Sequence, residues 1–468
     1  MSGISALAGD LVARLPPLQL DLRVLAFAVA LATATGLAFG LAPAVLLSRQ
    51  TLSEALKESA PGLSSRSGRL RSSLVVAEVA LSVMLLAGAG LLLRSLNALY
   101  RVDPGFRAEH VLTGNVALPA VRYDTPQKQL AFFREALDRA KALPGVTAAG
   151  MASSVPFEDR AWGKYVWAEG NEPQRLEDVR GCSFQLVTGD YFAALGIVPL
   201  RGRLLDDPAQ PEVVINEAGA KALFGDADPI GRRISINPPE RLVPPDRGGP
   251  AYPRYTVTGV VRDVHVHALD KPLGLEIWMR VEQLADQAGG YMDFVLRFDG
   301  DAAPLGRSLG ALVTSLDPTL ALSDVKTMDE RLGGAVSRAR FSAFLLSLFA
   351  GLALVLAMLG VYAVMAYSVA QRTREIGVRL ALGASAFDVL RLIFGQGSRL
   401  VVTGLAIGIA STLAGSKVLA ALLFGVSGTD PATYAAAAVV LAVVAAVALY
   451  LPARRASRLH PAIALRAE

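Results

Sequence analysis

Two histidines spaced two apart, His265 and His267 in the run DVHVHALD, are the residues of this chain best spaced for chemistry. On an extended strand both point to one face, where Asp263 or Asp270 would complete a Zn²⁺ ligand set. The plainer reading is a strand end with two solvated imidazoles, because the chain has only four histidines and no second cluster. No Ser-His-Asp pattern or nucleophile elbow accompanies them. A phosphate-binding loop needs two glycines separated by four residues and followed by Lys and Ser or Thr, so that backbone N–H groups cradle the phosphates. The nearest run, GIASTLAGSKV, has the wrong glycine spacing and lies in an apolar segment. The chain thus shows no phosphate-binding loop of its own, and no cofactor or metal is expected in it. Cys182 is the only cysteine, which excludes an internal disulfide and reads as a small buried side chain.

A second set of residues has the spacing of a short charged helix. In QRTREIGVRLALGASAFDVLRLIF a helix over 371–382 puts Arg372, Glu375 and Arg379 on one face. Glu375 and Arg379 form an i,i+4 pair worth a few tenths of a kcal/mol. Gly383 suits a left-handed helix end, and Ser385 with Asp388 makes an Asp version of the capping box for the next helix. The result is a short charged elbow between two apolar runs. Taken alone, it reads first as a positive-inside anchor with no partner. Glu78 lies about five residues, roughly 7.5 Å, inside another apolar run. It is an intramembrane carboxylate able to couple helices or relay a proton, or else it snorkels to the headgroups or bonds a neighbouring helix.

These residues are positioned by apolar segments. Hydrophobic residues make up 53% of the 468, and mean hydropathy is +0.42, too apolar for an ordinary soluble domain. Residues 1–100 and 339–468 hold 19 Lys/Arg against 9 Asp/Glu, whereas 101–338 hold 27 against 32. The basic excess thus flanks apolar segments and is not a nucleic-acid signal. Five segments reach the roughly 20 residues of a spanning helix: 24–47, 73–93, 341–369, 400–424 and 434–451. The third, about 43 Å long, exceeds the hydrocarbon core and implies a stalk. Lys417 interrupts the fourth and is expected at the outer interface. Arginines crowd three connections: 48–72, 370–399 and the tail with Arg454, Arg455 and Arg458. Positive-inside counting puts these in the cytoplasm and residues 94–340 outside. No cleavable signal peptide is evident.

The intervening stretch reads as α+β. Thr125 caps a helix that starts at Pro126, and Pro144 with Gly145 ends it. Strands are expected at 146–151, 213–216, 255–266, 293–298 and 322–327, and a helix at 305–316. Residues 237–253, rich in Pro and Gly, form a loop. GLAFG and GLAIG match the G-x-x-x-G pattern of close helix packing, which Gly/Ala-rich helices often do without consequence. At an offset of 409, Pro43, Ala44, Ser48, Arg49, Ala55 and Leu56 repeat as Pro452, Ala453, Ser457, Arg458, Ala464 and Leu465.

RTREIGVRLALGAS, then an apolar helix, LLFGVSGTDPATY and LPARRASRLHPAIALRAE resemble the C-terminal half of a MacB/FtsX-type permease, the membrane subunit of an ABC transporter. VTGDYFAALGIVPLRGRLL, VVINEAGAKALFGDADPIGRRI and VTGVVRDV resemble the MacB-like periplasmic core domain. LRSSLVVAEVALSVMLLAGAGLLLRSL is similar to the first helix of the permease unit. The resemblance covers about residues 70–468 and implies an α-helical membrane bundle of about five helices plus an α+β extracytoplasmic domain.

It also implies a domain map. Residues 1–60 would be the last helix and tail of a preceding, N-terminally truncated unit, 70–97 the first helix of the complete unit, 98–338 the periplasmic core and 339–468 the permease domain. The family implies that Arg372, Arg374, Glu375, Gly377, Arg379 and Gly383 couple to a separate cytoplasmic ATPase. A non-catalytic subunit for efflux by mechanotransmission in the bacterial inner membrane follows, with a cytoplasmic C-terminus. Its expected partners are the ATPase, the lipid bilayer, a second permease in a homo- or heterodimer and a periplasmic protein, but no nucleic acid. The rivals are a regulatory scaffold that activates an extracytoplasmic enzyme such as a cell-wall hydrolase, and a membrane-anchored metalloenzyme using His265 and His267.

Overall fold

The computed structural model describes residues 65–457, apart from 159–161, 189, 208–209, 237–253, 288–289, 383 and 421, together with five residues between 26 and 33. The expected span 24–47, the loop 237–253, Gly383, Arg458 and both arms of the repeat lie wholly or mostly outside the described residues. The chain divides into two compact units: Met1–Tyr100 with Ser337–Glu468, and Arg101–Val336.

The first long helix, α1 (Ser65–Leu99), belongs to the helical unit. The second unit is built on one mixed sheet of eleven strands: β1 (Val111–Ala117), β2 (Val146–Ala152), β3 (Trp162–Ala168), β4 (Arg180–Val187), β5 (Pro199–Gly202), β6 (Glu212–Asn216), β7 (Arg233–Ser235), β8 (Tyr255–Val261), β9 (Glu276–Arg280), β10 (Tyr291–Phe298) and β11 (Ser323–Thr327). The order is β11-β1-β10-β2-β4-β3-β7-β8-β6-β9, and a parallel β4–β9 pairing brings the last strand back to the middle of the sheet. Packed with it are α2 (Pro126–Lys141), α3 (Tyr191–Leu195), α4 (Glu217–Phe224), α5 (Ala302–Leu316) and α6 (Met328–Ala335).

Local chemistry accounts for these boundaries. The Thr125 hydroxyl accepts from the Lys128 N–H and Pro126 opens α2, as the sequence predicts. Phe132, Phe133, Ala136, Leu137 and Ala140 recur at helical spacing and are buried against the sheet core. Each phenylalanine contributes roughly 1.5–3 kcal/mol by leaving water. The core is filled by large side chains, among them Trp278, Tyr191, Phe184 and Phe294.

The helical unit resumes with α7 (Ser337–Gln371), α8 (Thr373–Ala381), α9 (Ala386–Ala414), α10 (Ser416–Ala420) and α11 (Pro431–Ser457). Four helices among the described residues are long and apolar enough to cross a membrane: Arg71–Leu99 within α1, and α7, α9 and α11. The span predicted at 400–424 is shifted: α9 starts at Ala386 and stops at Ala414, so Lys417 falls on α10, beyond the span. The cause is the capping box, which starts the helix at the elbow and carries the polar inner turns into the same helix. α7, with 35 residues, is about 52 Å long.

The helices meet along rows spaced by four: Val75, Val79 and Val83 on α1, Ala357, Val361 and Met365 on α7, and Leu441, Ala445 and Leu449 on α11. The second G-x-x-x-G match is a real contact. A Cβ on Gly404 would come within 2.6 Å of Val79 Cγ1, and one on Gly408 within 2.7 Å of the Ala80 carbonyl. Only glycine lets α9 approach α1 this closely.

Candidate coupling site

The elbow begins with a break that periodicity does not reveal. α7 runs to Gln371, and Arg372 (φ −106°, ψ 12°) interrupts the path, so the helix predicted to start at 371 starts at Thr373. The Thr373 hydroxyl shares its proton between the carbonyls of Val369 (3.1 Å) and Ala370 (2.9 Å) at the end of α7, where Val369 O also accepts from the Arg372 N–H. Arg372 therefore marks the joint as the N-cap of α8, and its carbonyl accepts from the Ile376 N–H at 2.9 Å.

α8 is anchored by one apolar residue. Ile376 is 3% exposed, in a cluster with Met365 of α7 and with Val389 and Ile393 of α9. Gly377 beside it is also buried. Empty space at this three-way junction is only about 10 Å³, between side chains that include Ser368, Arg372 and Gln396. The joint is close-packed. The predicted capping box follows: Asp388 N–H donates to Ser385 Oγ (3.3 Å), and Ser385 N–H to the Asp388 carboxylate (3.0 Å).

The other side of the elbow faces out. Glu375 and Arg379 pair at 2.7 Å with about half of each side chain exposed. Such a pair adds at most a few tenths of a kcal/mol to the helix, so stability does not explain it. Beside it, Val378, Leu382 and Phe387 are exposed, the last two by 84% and 70%. The sequence reading passed over these three, because single apolar residues at helix ends are ordinary core positions until burial is known. Arg374 lies on α8, and its side chain is outside the described set.

The same end of the bundle is tied by aromatic residues. The Arg71 guanidinium of α1 lies 4.1 Å from the Tyr367 ring centroid, and Arg455 of α11 donates to the Tyr362 hydroxyl at 3.1 Å. Both tyrosines are on α7 and neither was singled out in the sequence. Arg454 is exposed. Within the bundle, half-buried Glu78 points at α7, where a Cβ on Gly360 would collide with its carboxylate. One turn on, Ser82 Oγ donates to Ala353 O of α7 at 2.9 Å. Glu78 thus belongs to the α1–α7 contact.

The histidine pair does not form the geometry that a strand would impose. β8 ends at Val261, and the next residues bend away because the Asp263 carboxylate accepts from Asn216 Nδ2 and from the Ala218 N–H of α4, both at 2.8 Å. His265 Nδ1 donates to Ala268 O at 3.2 Å, and His267 Nε2 lies 2.7 Å from Ser183 Oγ. No group of three or more His, Cys, Asp or Glu able to hold a metal occurs among the described residues. Nearby Glu276, 4% exposed, has its carboxyl pushed up to about 9, chiefly by burial and then by the charge of Asp263.

The MacB-like periplasmic core domain family matches residues 72–304, and the FtsX-like permease C-terminal family matches residues 347–461. The chain is 31% identical over 265 residues to a macrolide export ATP-binding/permease protein MacB of Chromobacterium violaceum, covering 55% of this chain and 38% of that one. It is 26% identical over 346 residues to the protein of that name from Hahella chejuensis, covering 71% and 50%. The chain thus spans half or less of the length of these relatives. Among solved structures, the periplasmic region of MacB from Actinobacillus actinomycetemcomitans matches at 14% identity and a TM-score of 0.32, covering 50% of this chain and 94% of that one.

Proposed function

The chain belongs to the MacB/FtsX-type family of ABC transporter permeases, and from that premise we propose that it couples ATP hydrolysis by a separate cytoplasmic ATPase to movement of its α+β unit, for export. The observation that carries this reading is the two-sidedness of the elbow: Ile376 of α8 is locked between α7 and α9, while Glu375, Val378 and Arg379 of α8, Leu382 after it and Phe387 at the start of α9 are left to a partner. A push on that face passes through a close-packed joint into the 35-residue α7.

In this reading the elbow, with Arg372, Arg374, Glu375, Gly377, Arg379 and Gly383, and the basic tail with Arg454, Arg455 and Arg458 lie in the cytoplasm. Residues 98–338 lie outside and 339–468 form the permease domain. The outward apolar row of α7, with Phe344, Leu348 and Leu352, is where a second permease packs. Substrate is captured and expelled on the outer side, with a periplasmic partner.

The test is co-purification with a co-expressed ABC-type ATPase subunit. L382E/F387E, and separately replacement of Arg374, Glu375 and Arg379 by Ala, abolish co-purification while membrane insertion persists. Undiminished co-purification of both variants overturns the reading.

A further inference from the structure

At the end of the bundle remote from the elbow, α1, α7 and α11 do not close on one another. They leave a groove of about 500 Å³, open to the side and lined by Leu86, Gly90 and Leu93 of α1, Ser347 and Gly351 of α7 and Val440 of α11. We propose that this groove holds one acyl chain of a phospholipid, with the phosphate on Arg94. The proposal goes beyond the coupling reading and does not depend on which side of the membrane faces the cytoplasm.

Three observations identify the occupant. First, the polar atoms in the wall are already used: Ser347 Oγ donates to Ala343 O at 2.7 Å, and the Thr433 N–H donates to the Asp430 carboxylate at 2.9 Å. What remains is hydrocarbon, which accepts a hydrocarbon chain. Second, Arg94 lines the groove with a side chain 51% exposed, its guanidinium fixed by one nitrogen on Asp430, which the Thr433 hydroxyl holds in turn. The remaining N–H groups of the planar fork suit the oxygens of a phosphodiester. Third, Arg94 is 23 residues beyond Arg71 on the same helix, about 35 Å, close to the roughly 30 Å thickness of the hydrocarbon core. Arg71, stacked on Tyr367, marks one interface, so Arg94 stands at the phosphate level of the other.

Size separates a lipid from a second protein helix. One turn of a helix roughly 10 Å across already fills about 420 Å³, so the groove takes little more than a turn. An extended chain lies along it, and the volume falls within the roughly 300–1,000 Å³ of small-molecule sites.

The experiment uses the full chain in nanodiscs of phosphatidylethanolamine and phosphatidylglycerol, doped with a phospholipid carrying a diazirine in one acyl chain. Cross-links concentrate on residues 86–94, 347–351 and 432–440. Gly351→Leu fills the groove and cuts this labelling about tenfold. Gly351→Ala, whose Cβ meets nothing within 4 Å, gives a partial loss without threatening the fold. Gly395→Leu, equally open but on α9, leaves the labelling unchanged. A diacylglycerol probe with the same chain labels about tenfold less. Arg94→Gln lowers the phospholipid to that level, and Arg94→Lys keeps most of it.

Labelling spread evenly over the lipid-facing sides of α9 and α11, indifferent to both Gly351 variants, means bulk lipid only and overturns the proposal. Equal labelling by diacylglycerol and phospholipid overturns the role of Arg94. Cross-linking of groove residues to a second copy assigns the groove to a subunit interface and overturns it as well.

Discussion

The two units of this chain solve the packing problem in opposite ways. The sheet unit buries its largest side chains, Trp278, Tyr191, Phe192, Phe184 and Phe294, and exposes mostly polar residues. The helical unit buries chiefly alanine, glycine and valine with a few leucines and isoleucines and no phenylalanine among its described buried residues, and turns Phe344, Leu348, Phe349, Leu352 and Leu356 outward. Water drives the first arrangement, because apolar area removed from it is the dominant gain. Against lipid that gain disappears, and helices associate by how closely their backbones approach. The difference shows that each unit was shaped by its own solvent, and equivalent substitutions should weigh differently in the two.

The largest expected effect is in the sheet unit: Trp278→Ala costs about 3–5 kcal/mol, read as a fall in the unfolding midpoint of the full chain in detergent. An equivalent loss from Phe349→Ala on α7 would break the contrast. Glu276→Gln comes next. With the carboxyl pushed up to about 9 in the folded state, the folded form retains the proton that the unfolded chain releases near pH 4.5. Stability from this group is fully present below about pH 4.5 and is lost as pH rises towards 9. The Gln variant is therefore indifferent at pH 4 and stabilising by about 2–4 kcal/mol at pH 8, seen as a flatter pH profile of the melting temperature. In the helical unit Gly408→Val overpacks the α9–α1 contact and costs about 1–3 kcal/mol, measured by SDS-induced unfolding. The smallest effect belongs to Phe349→Ala, within about 0.5 kcal/mol, because that side chain faces lipid.

Much of this was legible in the sequence wherever a local rule sufficed. Thr125 with Pro126, Ser385 with Asp388, and the apolar lengths of α1, α7 and α11 follow from short-range chemistry. The joint at Arg372 was not legible, because the backbone leaves helical geometry there while the helical periodicity of the sequence continues. His265 and His267 were misplaced for a related reason: Asp263 turns away from β8 to bond α4, a choice fixed only when β6 is in place. The elbow's charged face could be read, but its apolar half, Leu382 and Phe387, could not, because exposure is a property of the assembled bundle. Arg94 and Asp430 meet across 336 positions, a pairing no spacing rule proposes.

Cys182, the sole thiol, is 6% exposed, and burial pushes it up to about 12. At pH 8 about one in ten thousand folded molecules carries the thiolate, against roughly a quarter once the chain is open. Maleimide uptake by the native protein therefore acts as a clock for opening of the sheet unit, with no engineering. The same silence lets a cysteine introduced at Arg374 report its own side of the membrane against a dark background.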